Sequence, residues 1–490
     1  MTTPFPPGAL AGVKIVEIAQ ALAVPFAGIL LADMGADVIK VEPPAGDGIR
    51  HTMEPILPGE SKGFTLINRG KRSICLDITR ADARPVLERL AKWADVVMVS
   101  MKPADLPRYG LTYEDFREMN PGLVFLEHVP LGKKGPLGGE PGYDVVVQGI
   151  SGTSVLTARE RDGVPINIRP AFNDMGTGAF SALGIVAALR HRDLTGEGQR
   201  VETSLLGTAM ALGNQLLSWF GVTDPPVEAS YRTAIAEARA SGADFETQRS
   251  IWERHYTRGG FANIYFRHYR TADGFISVGC LSPQLNARFR TATGVNDPRQ
   301  EPGFELGTPQ SMDQLGELVR EVEALFASRT TGEWLETLRA GKVPCGPLNF
   351  PPDVFNDPQL IENEYIVEVE HPLFGPYKTF GPALKMDATP TRITAPPPQL
   401  DQHTDEVLAM LGVHGKAEIA GFRKLGTDRA IAGMTGRGSG QIPLLWHTCE
   451  RSREGIGGLT VRVDEHHVVP EEERLSHAET PDRIREDQGI

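Results

Sequence analysis

The chain has little cysteine: four residues in 490, at Cys75, Cys280, Cys345 and Cys449, with no C-x-x-C spacing. That scarcity excludes a disulfide-stapled secreted scaffold and implies free thiols in a reducing compartment, so the cytoplasm is the expected location. Basic residues are outnumbered, 50 Lys and Arg against 63 Asp and Glu, for a formal net charge of −13. Nucleic acid is therefore a disfavoured partner, although a local basic pocket for a phosphorylated small molecule is compatible with the balance. Long apolar runs are also lacking. The amino terminus "MTTPFPPGALAG" has neither a basic segment nor an apolar core of signal length, and "ALAVPFAGILLADMG" is interrupted by Pro25 and Asp33, so no membrane segment is expected. His447 with Cys449 and the pair His466–His467 do not have the spacing of a four-ligand centre, so no metal is expected.

What is present is enough hydrophobic residue, 40% of the chain, to bury a large core divided between two or three domains. "GVKIVEI" reads as a buried strand, "PFAGILLADMG" as a helix opened by Pro25 and closed by Gly35, and "ADVIKVEPP" as the next strand. "RSICLDI", helical "ADARPVLERLAKWA", "DVVMVS", helical "TYEDFREMN" and "GLVFLEHV" continue the alternation, which implies a mainly parallel sheet with helices on both faces. The expected fold is α/β and Rossmann-like. No G-x-G-x-x-G follows the first strand and no G-x-x-x-x-G-K-[ST] occurs, so neither a dinucleotide nor a nucleoside triphosphate is announced. Another ligand is left to use the crevice at the strands' C-terminal ends.

Beyond "SLLGTAMALGNQLLSWFG" the segment 222–258 is polar and helix-prone, and "RTADGFISVGC" reads as a strand pair or turn in a small separate domain. "GKVPCGPLNFPPDVF" and "TAPPPQLDQHTDEVLAMLG" read as Pro-rich connectors leading to a last helix. From Gly426 onward lysine vanishes, and this tail is expected to be a largely disordered appendage.

One stretch, "AFNDMGTGAFSALGIVAALRHRD", places Asn173–Asp174 ahead of an apolar run. Asp is a common N-cap, so a purely structural role is the bland reading of Asp174. Gly176 and Gly178 disfavour the first turns of a helix, which points to close approach of a ligand or another backbone. Phe180, Leu183, Val186 and Ala187 recur at helical spacing and read as the buried face.

In order, "LADMGADVIKVEPPAGD", "NRGKRSICLDI", "ADVVMVSMKPADLPRYGLTYEDF", "NPGLVF", "GYDVVVQGISG", "NDMGTGAFSALGIVAALRHRDLTGEGQRVETSLL", "TADGFISV", "VPCGPLN" and "QHTDEVLAMLG" resemble the blocks of family III CoA-transferases, a superfamily that includes the α-methylacyl-CoA racemases. The resemblance covers roughly residues 8–425 and leaves the tail outside. It implies a Rossmann-like large domain built from N- and C-terminal segments (1–210, with 326–425 as linker and return) and a small α+β domain (225–325). It also implies a ring-shaped chain that threads a second copy into an interlocked homodimer.

The resemblance makes Asp174 the covalent nucleophile, followed by the block Arg192, Thr195, Gly196, Gly198 and Gln199. A carboxylate attacking an acyl-CoA gives a mixed anhydride and then an aspartyl-CoA thioester, with no resident cofactor and with coenzyme A entering only as substrate. The helix N-terminus is expected to keep Asp174 ionised, and Gly176 and Gly178 to admit the thioester. Racemases of the superfamily use a His–Asp pair; the His position is Tyr143 here, followed by Asp144. Phenol is a poor base at neutral pH, so transferase is favoured over racemase, with a non-catalytic acyl-CoA-binding paralogue as the other alternative. For CoA the resemblance implies Leu22 and Ala23, Leu76, Ser100, Met101, Lys102, Arg108 and Tyr109, with Arg108 at a phosphate and Met101 and Tyr109 at the adenine. Pro43, Thr79 and Pro141 stand where some relatives carry polar contacts, which implies a differently built phosphate grip. Of the glycine-rich lid only Gly259–Gly260 is found. Trp252, Tyr256, Phe261 and Tyr265 nearby hint at a bulky or apolar acyl group.

Overall fold

The computed structural model describes residues 6–156, 160–213, 217–256 and 263–413. The expected tail, with Cys449 and its histidines, and the Gly259–Gly260 and Phe261 positions lie outside the described residues. Six strands, β1 (Lys14–Ile18), β2 (Asp37–Glu42), β3 (Lys71–Cys75), β4 (Val96–Val99), β5 (Val124–His128) and β6 (Arg200–Thr203), form one sheet. Every pairing in it is parallel, and the order is β3-β2-β1-β4-β5-β6, the doubly wound arrangement. The helices used below are α1 (Ala23–Asp33), α2 (Asp144–Ser151), α3 (Phe172–Thr195) and α4 (Leu205–Leu212).

The central strand β4 (VVMV) is a continuous apolar run because both faces of the sheet are covered there, whereas the edge strands β3 (KRSIC) and β6 (RVET) are more polar. On one face Ile15, Val38, Val96, Met98 and Leu126 meet Val24, Ala27 and Leu31 of α1 and Ala182, Ile185 and Leu189 of α3. On the other, Val16, Ile39, Ile74, Val97 and Phe125 meet Val86, Leu87 and Leu90. Val407, Leu408 and Val413 join this second layer from the far end of the described chain. Burying each such side chain contributes about 1.5–3 kcal/mol. The return is pinned by backbone: His403 N–H donates to the Ser73 carbonyl at 2.9 Å and Cys75 N–H to Thr404 Oγ1 at 3.1 Å.

A second core forms around Tyr269, Phe289, Phe326 and Trp334, in which the Phe326 ring stacks on Tyr269 at 4.1 Å between centroids and on Trp334 at 4.5 Å. Its sheet comprises β7 (Phe266–Arg270), β8 (Phe275–Gly279) and β9 (Cys345–Pro347), all antiparallel. The hairpin expected at "RTADGFISVGC" is thus present. The connector expected at 343–352 differs, since Cys345–Pro347 pairs with β8 before the chain leaves the sheet. The polar segment forms two helices, Pro225–Ala240 and Phe245–Tyr256.

Helix α3 departs from the sequence reading in its orientation. Phe180, Leu183, Val186 and Ala187 have helical spacing but face outward, with Leu183 64% exposed. The buried face is Thr177, Gly178, Ser181, Ala182, Ile185, Ala188 and Leu189, smaller residues that let α3 sit close to α1 and the sheet. A Cβ on Gly178 would stand 2.6 Å from the Ala23 carbonyl oxygen, and one on Gly176 would stand 2.8 Å from Leu212 Cδ1. These glycines therefore admit α1 and α4 close to α3. At the far end Arg192 bonds Asp95 at 2.8 Å and Gly196, at φ +79°, ends the helix.

Among the described residues no helix is long and apolar enough to cross a membrane.

Candidate active site

Strand order reverses between β1 and β4, and in open α/β sheets the crevice beyond the strands' carboxyl ends at that point receives the ligand. A cavity of about 260 Å³ lies there. The chain after β1 supplies Gln20, Ala21, Leu22 and Ala23, the chain after β4 supplies Ser100, Met101, Lys102 and Pro103, and β5 ends in His128. Gly139–Tyr143, Asp174 and Leu205 complete the wall.

The wall brings together the starts of four helices. Ala23 and Leu205 open α1 and α4, Tyr143 is the N-cap of α2, and Asp174 lies in the first turn of α3, behind the N-cap Ala171. Each start presents N–H groups without helical partners and a partial positive charge, so the cavity favours anionic groups. Lys102 adds a full positive charge. Asp174 is thus not the N-cap.

Nor is Asp174 held ionised by its helix. Burial, with the like charge of Asp144 adding to it, pushes its carboxyl up to about 7. The helix dipole is worth at most about 2 kcal/mol and is outweighed. Asp144 is itself held in place: Gln148 Nε2 donates to its Oδ2 and to the Ile168 carbonyl at 3.2 Å, while Gln148 Oε1 accepts from Ile168 N–H at 2.7 Å. One amide therefore ties Asp144 to the chain that leads into α3. His128, buried with Nδ1 3.4 Å from Thr203 Oγ1, is pushed down to about 4 by burial and is a neutral imidazole at pH 7.

Of the residues expected at the site, Asp174, Leu22, Ala23, Ser100, Met101, Lys102 and Tyr143 line the cavity. Tyr143 is 72% exposed, a wall residue and not a packed one. Leu76, Arg108 and Tyr109 are not in the wall: Leu76 is in the core beside β3, Tyr109 packs partly against the same core, and exposed Arg108 lies over the Tyr109 ring at 5.5 Å. The aromatic cluster is not there either. Tyr265 is buried, its hydroxyl donating to Asp297 at 2.6 Å, Trp252 lines a different cavity, and Tyr256 packs edge-on against Tyr231. Among the wall residues that the sequence reading missed are Gln20, Ala21 and His128. The signal was position: Gln20 and Ala21 follow β1 at the switch point, and His128 is the last residue of β5, the next strand beyond β4.

Residues 10–404 match the sequence profile of CoA-transferase family III. The chain belongs to that family. This CoA-transferase is 31% identical over 402 residues to the succinyl-CoA:glutarate CoA-transferase of Homo sapiens, covering 81% of this chain and 85% of that protein. It is 28% identical to the succinyl-CoA:mesaconate CoA-transferase of Haloarcula hispanica, covering 83% and 97%. A crystal structure of a CAIB/BAIF family protein from Brucella suis superposes with a TM-score of 0.64 at 28% identity, covering 83% of this chain and all (100%) of that one. As a CoA-transferase the enzyme takes CoA thioesters and carboxylic acids as substrates.

Proposed function

We propose that the enzyme moves CoA between carboxylic acids through covalent intermediates on Asp174. The Asp174 carboxylate attacks the thioester carbonyl and the C–S bond breaks, giving a mixed anhydride and CoA thiolate. The thiolate then attacks the Asp174 carbonyl carbon and releases the first acid as its carboxylate, leaving an aspartyl-CoA thioester. The acceptor carboxylate attacks that thioester and expels the thiolate, which attacks the acceptor's acyl carbon in the new anhydride and frees Asp174. Thioester is exchanged for thioester, so no energy source is consumed. The observation that carries this reading is Asp174 in the wall of a cavity that also takes in the starts of α1, α2 and α4, whose dipoles favour each developing oxyanion.

The acids are short dicarboxylates of the kind named for the relatives, their second carboxylate drawn by Lys102 and the helix starts. Tyr143 borders the acyl group, and Leu76, Arg108 and Tyr109 meet the nucleotide end of CoA. The enzyme works as an interlocked homodimer, each chain a ring of a large domain (1–210 and the returning segment that ends on β3) and a small domain that begins near 225 and runs past 325 to include Phe326, Trp334 and Cys345–Pro347. Support for that assembly comes from the outward face of α3, where Phe180, Leu183 and Val186 lie open in a single chain.

The test is hydroxylamine trapping during turnover with succinyl-CoA, followed by mass spectrometry. A hydroxamate at Asp174 is expected, and Asp174→Ala is expected to lower turnover by about 10⁴-fold or more. Full activity of that variant would falsify the covalent mechanism.

A further inference from the structure

Ala21 in the cavity wall has φ +65°, a left-handed conformation that costs a non-glycine residue with a Cβ about 1–3 kcal/mol. Strain of this size persists only where surrounding structure enforces it, and two fully buried, oppositely charged side chains do so here. From β2, Lys40 Nζ donates to the Ala19 carbonyl at 2.8 Å. From the loop after β2, Asp47 Oδ1 accepts from Ala21 N–H at 3.2 Å, and also from Ile49 N–H at 3.2 Å. The two side chains are joined at 3.0 Å between Lys40 Nζ and Asp47 Oδ2, and neither is exposed. Each is anchored again from behind: Lys40 by Glu17 Oε1 at 3.0 Å, and the Asp47 N–H by Glu42 Oε2 at 3.0 Å.

The pair therefore grips the post-β1 loop on both sides of Gln20, at a carbonyl one residue before it and an amide one residue after it. We infer that Lys40 and Asp47 are positioning residues for CoA binding, holding Gln20–Ala23 in the strained left-handed turn that forms the rim of the cavity. Neither lines the cavity; both act through the backbone. A residue that needs Asp47 to stay at positive φ should need it less when it is glycine, for which that region is freely open. This makes the role separable from ordinary contribution to folding.

The inference rests on the cavity being the CoA site, and its test reads CoA binding, with Asp174 intact. CoA affinity is measured by titration calorimetry on the full chain in a double-mutant cycle of Asp47→Asn and Ala21→Gly, with melting temperature recorded alongside. Asp47→Asn is expected to weaken CoA binding about tenfold in the wild-type background and less than about threefold in the Ala21→Gly background. Equal losses in both backgrounds, or a drop in melting temperature with unchanged affinity, overturn the inference. Should Asp47→Asn not fold, Ala21→Asn and Ala21→Val, similar in volume, leave the buried pair untouched. Asn tolerates positive φ and is expected to bind CoA at least about fivefold more tightly than Val, which does not. Equal affinity of those two again overturns it. A wild-type chain that transfers CoA but is indifferent to these changes removes this inference alone, whereas a wild-type chain that binds no CoA removes the site with it.

Discussion

Residues 17–71 and helix α3 invert the usual distribution of side chains in opposite ways. The first region buries Glu17, Lys40, Glu42, Asp47, Arg50, Glu60 and Lys71, while the second leaves Phe180, Leu183 and Val186 in contact with solvent. Buried charges are a poor source of stability, because desolvation offsets their mutual attraction. They are, however, directional. Arg50 reaches Glu42 at 2.8 Å, Glu60 at 3.0 Å and the Pro398 carbonyl at 3.0 Å, and so ties the returning connector to the end of β2. Its two lysines diverge: burial lowers both in the first instance, but three carboxylates more than reverse this for Lys40, whereas Lys71 stays pushed down to about 8. An exposed apolar stripe, by contrast, carries no geometric information until something covers it. The first region arranges the site within one chain; the second concerns what lies beyond the chain.

The comparison is broken most severely by Lys40→Met, which leaves buried Asp47 without its cation and Glu17 with Lys71 alone, at 2.8 Å. A loss of about 3–5 kcal/mol is expected, read as the shift in urea midpoint. Next in size is Phe180→Glu with Leu183→Glu. On a face open to water each change stays within about 0.5 kcal/mol, whereas on a covered face the pair disrupts assembly. Light scattering over a wide dilution range is expected to show loss of the dimer for this variant and none for wild type; a dimer that survives the double change removes the assembly from α3.

Asp174 sharpens the contrast within the site, being a carboxylate buried beside a like charge. Its native value of about 7 lies above the ordinary 3.8, so the neutral form's contribution to stability is complete below about 3.8 and is lost as pH rises through about 7. Asp174→Asn should accordingly melt at the same temperature as wild type below about pH 4 and progressively higher from about pH 4 to 7, with no further gain above that. Because the nucleophile is the ionised form, kcat/KM should rise through about pH 7 to a plateau, and Asp144→Asn should move that limb to lower pH. An unmoved limb would separate Asp144 from the site. Smallest of all is Lys62→Ala. Its ion pair with Glu54 is 64% and 69% exposed, and its removal should change stability by no more than about 0.5 kcal/mol.

Five of the six strands were legible because they are short and punctuated, as at "ADVIKVEPP" before Pro43 and "DVVMVS" before Ser100, whereas the polar edge strand Arg200–Thr203 was not. Asp174 was legible through its block. The facing of α3 was not, because a helix that is apolar on two sides has the same period whichever side is turned inward; only its small residues, Gly178, Ser181 and Ala182, distinguish the close-packed side. Leu76 lies in the core and outside the cavity wall for a related reason: a strand end in sequence does not say on which face its next side chain falls. Gln20 and Ala21 escaped notice since neither residue type carries chemistry of its own, and a positive φ at alanine leaves no mark in composition.

The attachment of His403 and Thr404 to β3 has a consequence for synthesis. β3 is an edge of the six-stranded sheet, and an uncovered edge with free N–H and C=O groups invites pairing with other chains. The backbone and side-chain groups that cover it emerge from the ribosome some 330 residues later. At typical translation rates that is a delay on the order of tens of seconds. During it the nascent sheet must wait with an open flank, so the vulnerable interval in this protein's life is its birth, and crowding or slow elongation between β3 and the final helix should raise the aggregated fraction of new chains without altering the stability of those already made.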